Sequence, residues 1–323
     1  MHFDPEAPIT SESPTFGLHA SPEQAAVVLL PVPFDATASY GRRTASGPET
    51  IRVASHQLDL FCRHTGKPYE RGIATLPASA DITRWNNEAR ALVDLARAGD
   101  EKATSAVNAC SEKMRAQVYA TAEDFITQGK IFGVIGGDHS VPLGSIQAHA
   151  EHYPNLSILH IDAHADLRNA YEGFAQSHAS IMHNVMTHTM VKKIVQVGIR
   201  DFCESEYQAI IQSEGRIVTF FDDMLGDMSH WHDVVSELSA SVYVSFDIDG
   251  LDPALCPHTG TPVPGGLSFR AARMLLRAIT QSGRRIVGFD LCEVAPGDNA
   301  DEWDGNVGAR ILYALCGEAL LMA

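Results

Sequence analysis

Cysteine is sparse and scattered: six residues (Cys62, Cys110, Cys203, Cys256, Cys292 and Cys316) with no C-x-x-C pair among them. This excludes a zinc ribbon or a disulfide framework and reads as free thiols in a reducing compartment. Basic residues are few, 24 Lys and Arg against 40 Asp and Glu, for a formal net charge of −16. Such a field repels nucleic-acid phosphates and anionic lipid, so neither is an expected partner. Long apolar runs are also missing. The most apolar early stretch, 25–32, contains Pro31 and is too short to span a bilayer, and no basic leader precedes an apolar segment near Met1. The expectation is a cytoplasmic protein. Internal repeats, low-complexity blocks and Gly/Ser linkers are lacking too, which argues for one domain.

What is present is a globular composition, 323 residues with 45% hydrophobic and 20% charged, enough chain to bury a large core. Residues 1–23 are rich in Pro, Ser and acidic residues without periodicity and read as an irregular arm, leaving 24–323 as the domain. Brief, mostly β-branched runs at 25–32, 131–135, 156–161, 193–198, 217–221, 242–246 and 286–289 read as strands. Between them, 47–60, 88–96, 103–128, 141–153, 177–190, 204–213, 269–281 and 306–321 carry helical patterning. This alternation predicts a doubly wound α/β fold with a parallel sheet covered on both faces. The 68–97 segment stands out as a candidate lid or extra subdomain.

In parallel α/β sheets ligands sit beyond the carboxyl ends of the strands, and there the sequence changes character. Gly136-Gly137-Asp138-His139-Ser140 follows one strand, Asp162-Ala163-His164-Ala165-Asp166 a second, and Asp247-Ile248-Asp249-Gly250 a third. With a strand period of two, Asp162, His164 and Asp166 project to one side, as do Asp247 and Asp249. Each motif alone has a plain reading as a turn, cap or calcium-type loop. Together they put four carboxylates and two imidazoles at one sheet end, where repulsion and lost solvation demand cations. Two divalent ions balance four negative charges. Carboxylate and imidazole donors without thiolate suit Mn²⁺ first, then Mg²⁺, Co²⁺, Ni²⁺ or Zn²⁺. Two such ions about 3.5–4 Å apart can share a water and lower its pKa toward neutrality, so hydrolysis is the natural reaction class.

These residues, with Ser39-Tyr40-Gly41, Ser46-Gly47-Pro48, Thr259-Gly260-Thr261-Pro262, Gly265-Gly266 and the 288–294 stretch, resemble the ureohydrolases, which include agmatinase, arginase, guanidinobutyrase and formimidoylglutamase. The resemblance covers most of the chain in order. It implies a three-layer α/β/α fold with a mostly parallel eight-stranded sheet, assembled as a homotrimer or homohexamer. It also implies two manganese ions, one held by His139, Asp162, Asp166 and Asp247, the other by His164, Asp162, Asp247 and Asp249, with Asp162 and Asp247 bridging. By the same resemblance, a metal-activated hydroxide attacks the guanidinium carbon and C–N cleavage releases urea. Asp166 counts among the catalytic groups as well as the ligands. Glu293 matches the carboxylate that pairs with the guanidinium, His178 the histidine that passes a proton to the leaving amine, and Thr261 a support for substrate or hydroxide. His160, just before the Asp-x-His-x-Asp motif, reads as a satisfied buried histidine instead.

For the substrate, the Asn and Ser that hold an α-carboxylate in arginases have no match after Asp166, and Cys203 stands where an acidic partner for an α-amino group is expected. Agmatine, giving putrescine and urea, is therefore the first reading, with guanidinobutyrate, arginine, guanidine and formimidoylglutamate behind it. Arg168 is the residue that could instead hold a substrate carboxylate or form a structural ion pair. A metal-dependent deacetylase is disfavoured because its His-His pair near a glycine-rich turn is not found. A noncatalytic subunit is disfavoured because all six ligand positions are filled.

Overall fold

The computed structural model describes residues 9–41, 43–225, 231–298 and 302–323. Runs of Val, Ile, Leu and Phe form eight strands: β1 (Val27–Val32), β2 (Ile73–Thr75), β3 (Ile131–Gly136), β4 (Ser157–Ile161), β5 (Lys193–Ile199), β6 (Ile217–Phe221), β7 (Ser241–Asp247) and β8 (Arg285–Cys292). They make one sheet, ordered β2-β1-β3-β8-β7-β4-β5-β6, in which every pairing is parallel.

Both faces are covered, and the strand period decides which residue meets which layer. Val27 and Leu29 face a core built with α1 (Gly47–Ala54) and, from the second half of the chain, with helices at Trp231–Ser236, Phe269–Gln281 and Trp303–Leu321. Val28, Leu30 and Val32 face the opposite core, built with α2 (Ala80–Arg90), α3 (Val93–Arg97) and the long α4 (Glu101–Ile126). Farther along the sheet that layer continues with α5 (Leu143–His152), α6 (Ile181–His188) and α7 (Glu204–Ile211). In chain order the three later helices of the first layer are α8, α9 and α10. The three-layer α/β/α architecture expected from the sequence is thus the one observed.

Several elements differ from the sequence expectation. The 68–97 segment is woven into the fold. Its β2 extends the sheet on β1, a strand of three residues that is too short to show periodicity, and α2 and α3 pack on α4. Asp35, after β1, receives the Arg90 guanidinium at 3.3 Å and bonds Asn86 through both its N–H and its carboxylate. The helix expected at 88–96 is the end of α2 followed by α3, and α8 was not foreseen at all. The amino-terminal arm is anchored from Thr15 to Gly17: Phe16 is fully buried, its ring 5.0 Å from that of Tyr313, and its N–H donates to Ser55 Oγ at 2.7 Å. Residues 1–8 of that arm lie outside the described residues.

The topology fixes the position of the chemistry. β3 and β4 are consecutive in the chain but separated in the sheet by β8 and β7. Connections after neighbouring strands therefore diverge to opposite sides, which opens a crevice at the carboxyl edge. The four central strands β3, β8, β7 and β4 bring Gly136–Ser140, Glu293, Asp247 and Asp162 to that one edge.

Candidate metal centre

The loop after β3 turns sharply enough that Gly137 N–H donates back to Val32 O at 3.0 Å, and a Cβ on Gly137 would lie 1.9 Å from Phe34 O. Only glycine fits there. Asp138 clamps the turn: its Oδ2 accepts from Thr37 N–H and Oγ, and its Oδ1 from the Ser140 N–H and Oγ. His139 is thereby aimed at the carboxyl end of β4 and β7.

Two clusters result. In the first, His139 Nδ1 lies 3.0 Å from Asp162 Oδ2, 3.1 Å from Asp166 Oδ2 and 3.4 Å from Asp247 Oδ2. In the second, His164 Nδ1 lies 3.4 Å from Asp162 Oδ1 and 3.2 Å from Asp249 Oδ2. Asp162 presents one oxygen to each cluster, as a bridging carboxylate must. Asp247 turns its Oδ2 to the first cluster, and its Oδ1 accepts from the N–H of Asp249, a member of the second, at 2.8 Å. Neighbouring donors of a six-coordinate ion with bonds of roughly 2.1 Å are about 3 Å apart, the spacing found here.

Charge gives an independent test of whether this donor set suits cations. Asp138, Asp162, Asp166, Asp247, Asp249, Asp290 and Glu293 are all buried, whereas among the described residues no Lys or Arg is. Burial, then Asp249, Asp162 and Glu293, hold the Asp247 carboxyl well above the usual carboxylate range. Burial, then Asp162, push Asp166 up to about 7. Burial opposes charge on His164, but Asp249 and Asp162 outweigh it and raise the imidazole to about 12. Buried carboxylates that repel each other in this way fit divalent cations. The donor set is carboxylate and imidazole throughout.

The surrounding residues orient the ligands. His139 Nε2 lies 3.0 Å from Ser245 Oγ, which donates to Asp290 Oδ1 at 3.2 Å. Gln196 Nε2 donates to His160 Nδ1 at 3.0 Å, leaving His160 Nε2–H to donate to Asp162 Oδ2 at 2.8 Å. His160 is accordingly a hydrogen-bonded buried histidine, as the sequence suggested. Ser245, Asp290 and Gln196 were not singled out. The signal for Ser245 was available, because it lies two residues before Asp247 and so on the same strand face.

The remaining predicted residues fall into two groups. Glu293 and His178 join the crevice. Glu293 has φ 64°, an uncommon backbone for a non-glycine residue. Its Oε1 accepts from His139 N–H at 2.9 Å, its N–H donates to Gly137 O, and its Oε2 is buried without a hydrogen-bond partner among the described residues. Gly260 leaves room for that oxygen, since a Cβ there would lie 2.5 Å from it. Burial, then Asp138, push the Glu293 carboxyl well above its usual range. His178 lies with Nε2 3.2 Å from Ser39 Oγ and Nδ1 3.3 Å from Ser177 Oγ. Burial, then His164, lower it to about 4, so the ring is neutral at pH 7.

Thr261 and Arg168 are otherwise engaged. Thr261 Oγ donates to Asp249 Oδ2 at 3.2 Å and so steadies that carboxylate. Arg168 lies 3.6 Å from Glu206 Oε2 and stacks 4.7 Å above the Tyr171 ring. Glu206 also accepts from Leu167 and Cys203 N–H, which ties the loop after β4 to the start of α7.

The Arginase family model matches residues 25–317. An N(1)-aminopropylagmatine ureohydrolase of Thermus thermophilus is 33% identical over 283 residues, covering 87% of each chain. An agmatinase of Klebsiella pneumoniae is 30% identical over 279 residues, 85% of this chain and 81% of its own. Among solved structures, the agmatine ureohydrolase of Thermoplasma volcanium superposes with a TM-score of 0.76 at 23% identity, over 97% of this chain and 96% of its own. Among the described residues no helix is long and apolar enough to cross a membrane.

Proposed function

The chain belongs to the arginase family, and on that premise we propose that it is a ureohydrolase that cleaves a guanidino C–N bond, with agmatine, hydrolysed to putrescine and urea, as its substrate. The observation that carries this reading is Glu293. A buried carboxylate oxygen without a partner, beside a cluster of ligands, is an acceptor for a planar cation, and a guanidinium is the cation whose paired N–H groups suit a carboxylate best.

His139, Asp162, Asp166 and Asp247 would hold one divalent cation and His164, Asp162, Asp247 and Asp249 the other, Mn²⁺ before Ni²⁺, Co²⁺ or Zn²⁺. Bound there, the pair supplies Lewis-acid activation of water at neutral pH. The chain's residues do the rest. Glu293 Oε2 receives the guanidinium and fixes its carbon over the centre. His178, neutral at pH 7 and steadied by Ser39 and Ser177, can take a proton and return it to the departing nitrogen. Asp166, as a ligand of the first cation, would be kept ionised by it and would serve there as a charged acceptor. In the balanced reaction, water contributes the urea oxygen and both of its hydrogens end on the departing nitrogen of the guanidinium, which leaves as an ammonium group.

Arg168 supports a substrate without a carboxylate. Its Nε lies 3.6 Å from Glu206 Oε2 and its guanidinium over the Tyr171 ring, so the carboxylate of guanidinobutyrate or formimidoylglutamate would have to compete with Glu206 for it. N(1)-aminopropylagmatine is the second reading, favoured by the name of the Thermus relative. Urea release by the manganese-loaded enzyme from agmatine, N(1)-aminopropylagmatine, arginine, guanidinobutyrate and guanidine tests it. Agmatine should give the highest kcat/KM, and turnover confined to a carboxylated compound overturns the assignment. A homotrimer or homohexamer in the cytoplasm belongs to the same reading and is checked by sedimentation and cell fractionation.

A further inference from the structure

Away from the crevice, α9, α10 and the 58–65 loop line a surface groove, half open to solvent, with a volume of about 570 Å³, a size typical of small-molecule sites. Its lining is unusual for a chain of net charge −16, because it gathers four guanidiniums: Arg63, Arg273, Arg277 and Arg310. The carboxylates on the same wall are Asp59 and Glu318. Glu318 is buried and already committed, with Oε2 accepting from Thr280 Oγ at 2.7 Å and Oε1 lying 3.5 Å from His64 Nε2.

All four arginines are exposed, and Arg273, Arg277 and Arg310 are each oriented by an uncharged side chain. Arg310 Nε donates to Asn306 Oδ1 at 2.8 Å, and Arg273 Nη2 points at Cys62 Sγ at 3.7 Å. With the Gln281 amide turned oxygen-first, Arg277 Nε donates to it at 2.9 Å. Among the described residues none of the four forms an ion pair with a carboxylate, whereas Arg52, Arg84 and Arg115 each pair with an acidic residue three positions away. Arg273 and Arg277 are also four apart on α9, a like-charge spacing that destabilises a helix. Oriented, unneutralised guanidiniums around a ligand-sized hollow are what recognises a multiply charged anion. Phe269 and Tyr313 add aromatic walls beside the charges.

We propose that this groove is a binding site for a small dianion bearing phosphate or carboxylate groups, distinct from the metal centre. The test is calorimetry on the metal-loaded full chain at constant ionic strength, titrating glycerol phosphate in one arm and succinate in the other. One site per chain is expected in at least one arm, and the stronger arm identifies the anionic group. The R273Q/R277Q pair should weaken it at least about tenfold, as loss of charge-assisted hydrogen bonds requires, while R84Q on α2 leaves it unchanged. If the pair fails to fold, R63Q on the loop is expected to weaken binding several-fold by itself. Absence of heat in both arms, or binding unaltered in the arginine variants, overturns the proposal. Dissociation of the assembly in R273Q/R277Q, seen by sedimentation, would also overturn it by making the groove a subunit contact. Urea release is not part of the readout, so the test is independent of the ureohydrolase assignment.

Discussion

Replacing Glu293 by Gln changes one oxygen for an amide nitrogen and leaves the shape of the site intact. Gln can still accept from His139 N–H, as Glu293 Oε1 does at 2.9 Å, and the same side chain still fits beside Gly260. What disappears is the charge facing the substrate. Breaking a buried ion pair costs about 3–5 kcal/mol. The low end applies here because the amide oxygen keeps one hydrogen bond, and about 3 kcal/mol corresponds to roughly a hundredfold loss in kcat/KM at about 1.4 kcal/mol per decade. Metal content should stay at the wild-type level. The metal-free variant should also be more stable at pH 7. The Glu293 carboxyl is raised well above its usual range in the fold, so the unfolded chain ionises first, and stability falls as pH rises above the ordinary value of about 4.3. Steady-state urea release, elemental analysis and thermal unfolding of the metal-free chain make the three measurements. A fall in kcat/KM of less than about fivefold, or loss of metal in step with activity, would refute the role given to Glu293.

Asp162→Asn removes the carboxylate shared by both clusters and should leave less than about one metal per chain with urea release abolished, because each cluster loses a charged donor; elemental analysis after gel filtration decides. Arg168→Ala should change kcat/KM for agmatine by less than about threefold and stability by about 1 kcal/mol or less, since its half-exposed side chain pairs with Glu206 rather than with substrate. A tenfold rise in KM would return Arg168 to the substrate site. His149, fully buried with Nδ1–H donating to Ser145 O at 2.7 Å, is lowered by burial to about 4. Its folded value lies below the ordinary value of about 6.5, so the unfolded chain takes the proton first. Its contribution is whole above about pH 6.5 and fades toward pH 4 by up to about 3 kcal/mol. Urea denaturation at several pH values should show a shallower acid-side slope in His149→Gln than in wild type, and identical slopes would refute the assignment.

The candidate ligand positions were legible before the structure because acidic and histidine residues follow the strand runs, but strand alternation is not what places them: Asp162, His164 and Asp166 lie beyond β4, which ends at Ile161, Asp249 lies in the 3-10 turn after β7, and Asp166 has φ 55°. The strands announced themselves by β-branched runs, and the glycines and acidic residues after them marked the carboxyl edge. Local patterning could not reveal the order β3-β8-β7-β4, which depends on crossovers tens of residues long. That order alone makes Glu293, 154 positions from His139, its hydrogen-bond partner. It also decides that Asp162 presents one oxygen to each cluster while Asp247 turns one oxygen to Asp249, that Glu206 lies beside Arg168, and that Ser245 and Asp290 stand behind His139. Each of these depends on which side chain from a distant segment reaches a buried polar group first, and burial makes that choice strict because an unpaired charge there has no water to fall back on. The same reasoning covers β2 and the anchored Phe16, whose three-residue lengths carry no period and whose places are set by the partners they pack against. Residue identity and the motifs that follow the strands determined the chemistry available to this protein, and long-range packing decided which buried groups cluster at the carboxyl edge, which carboxylate oxygen is left without a partner and which four arginines line one groove.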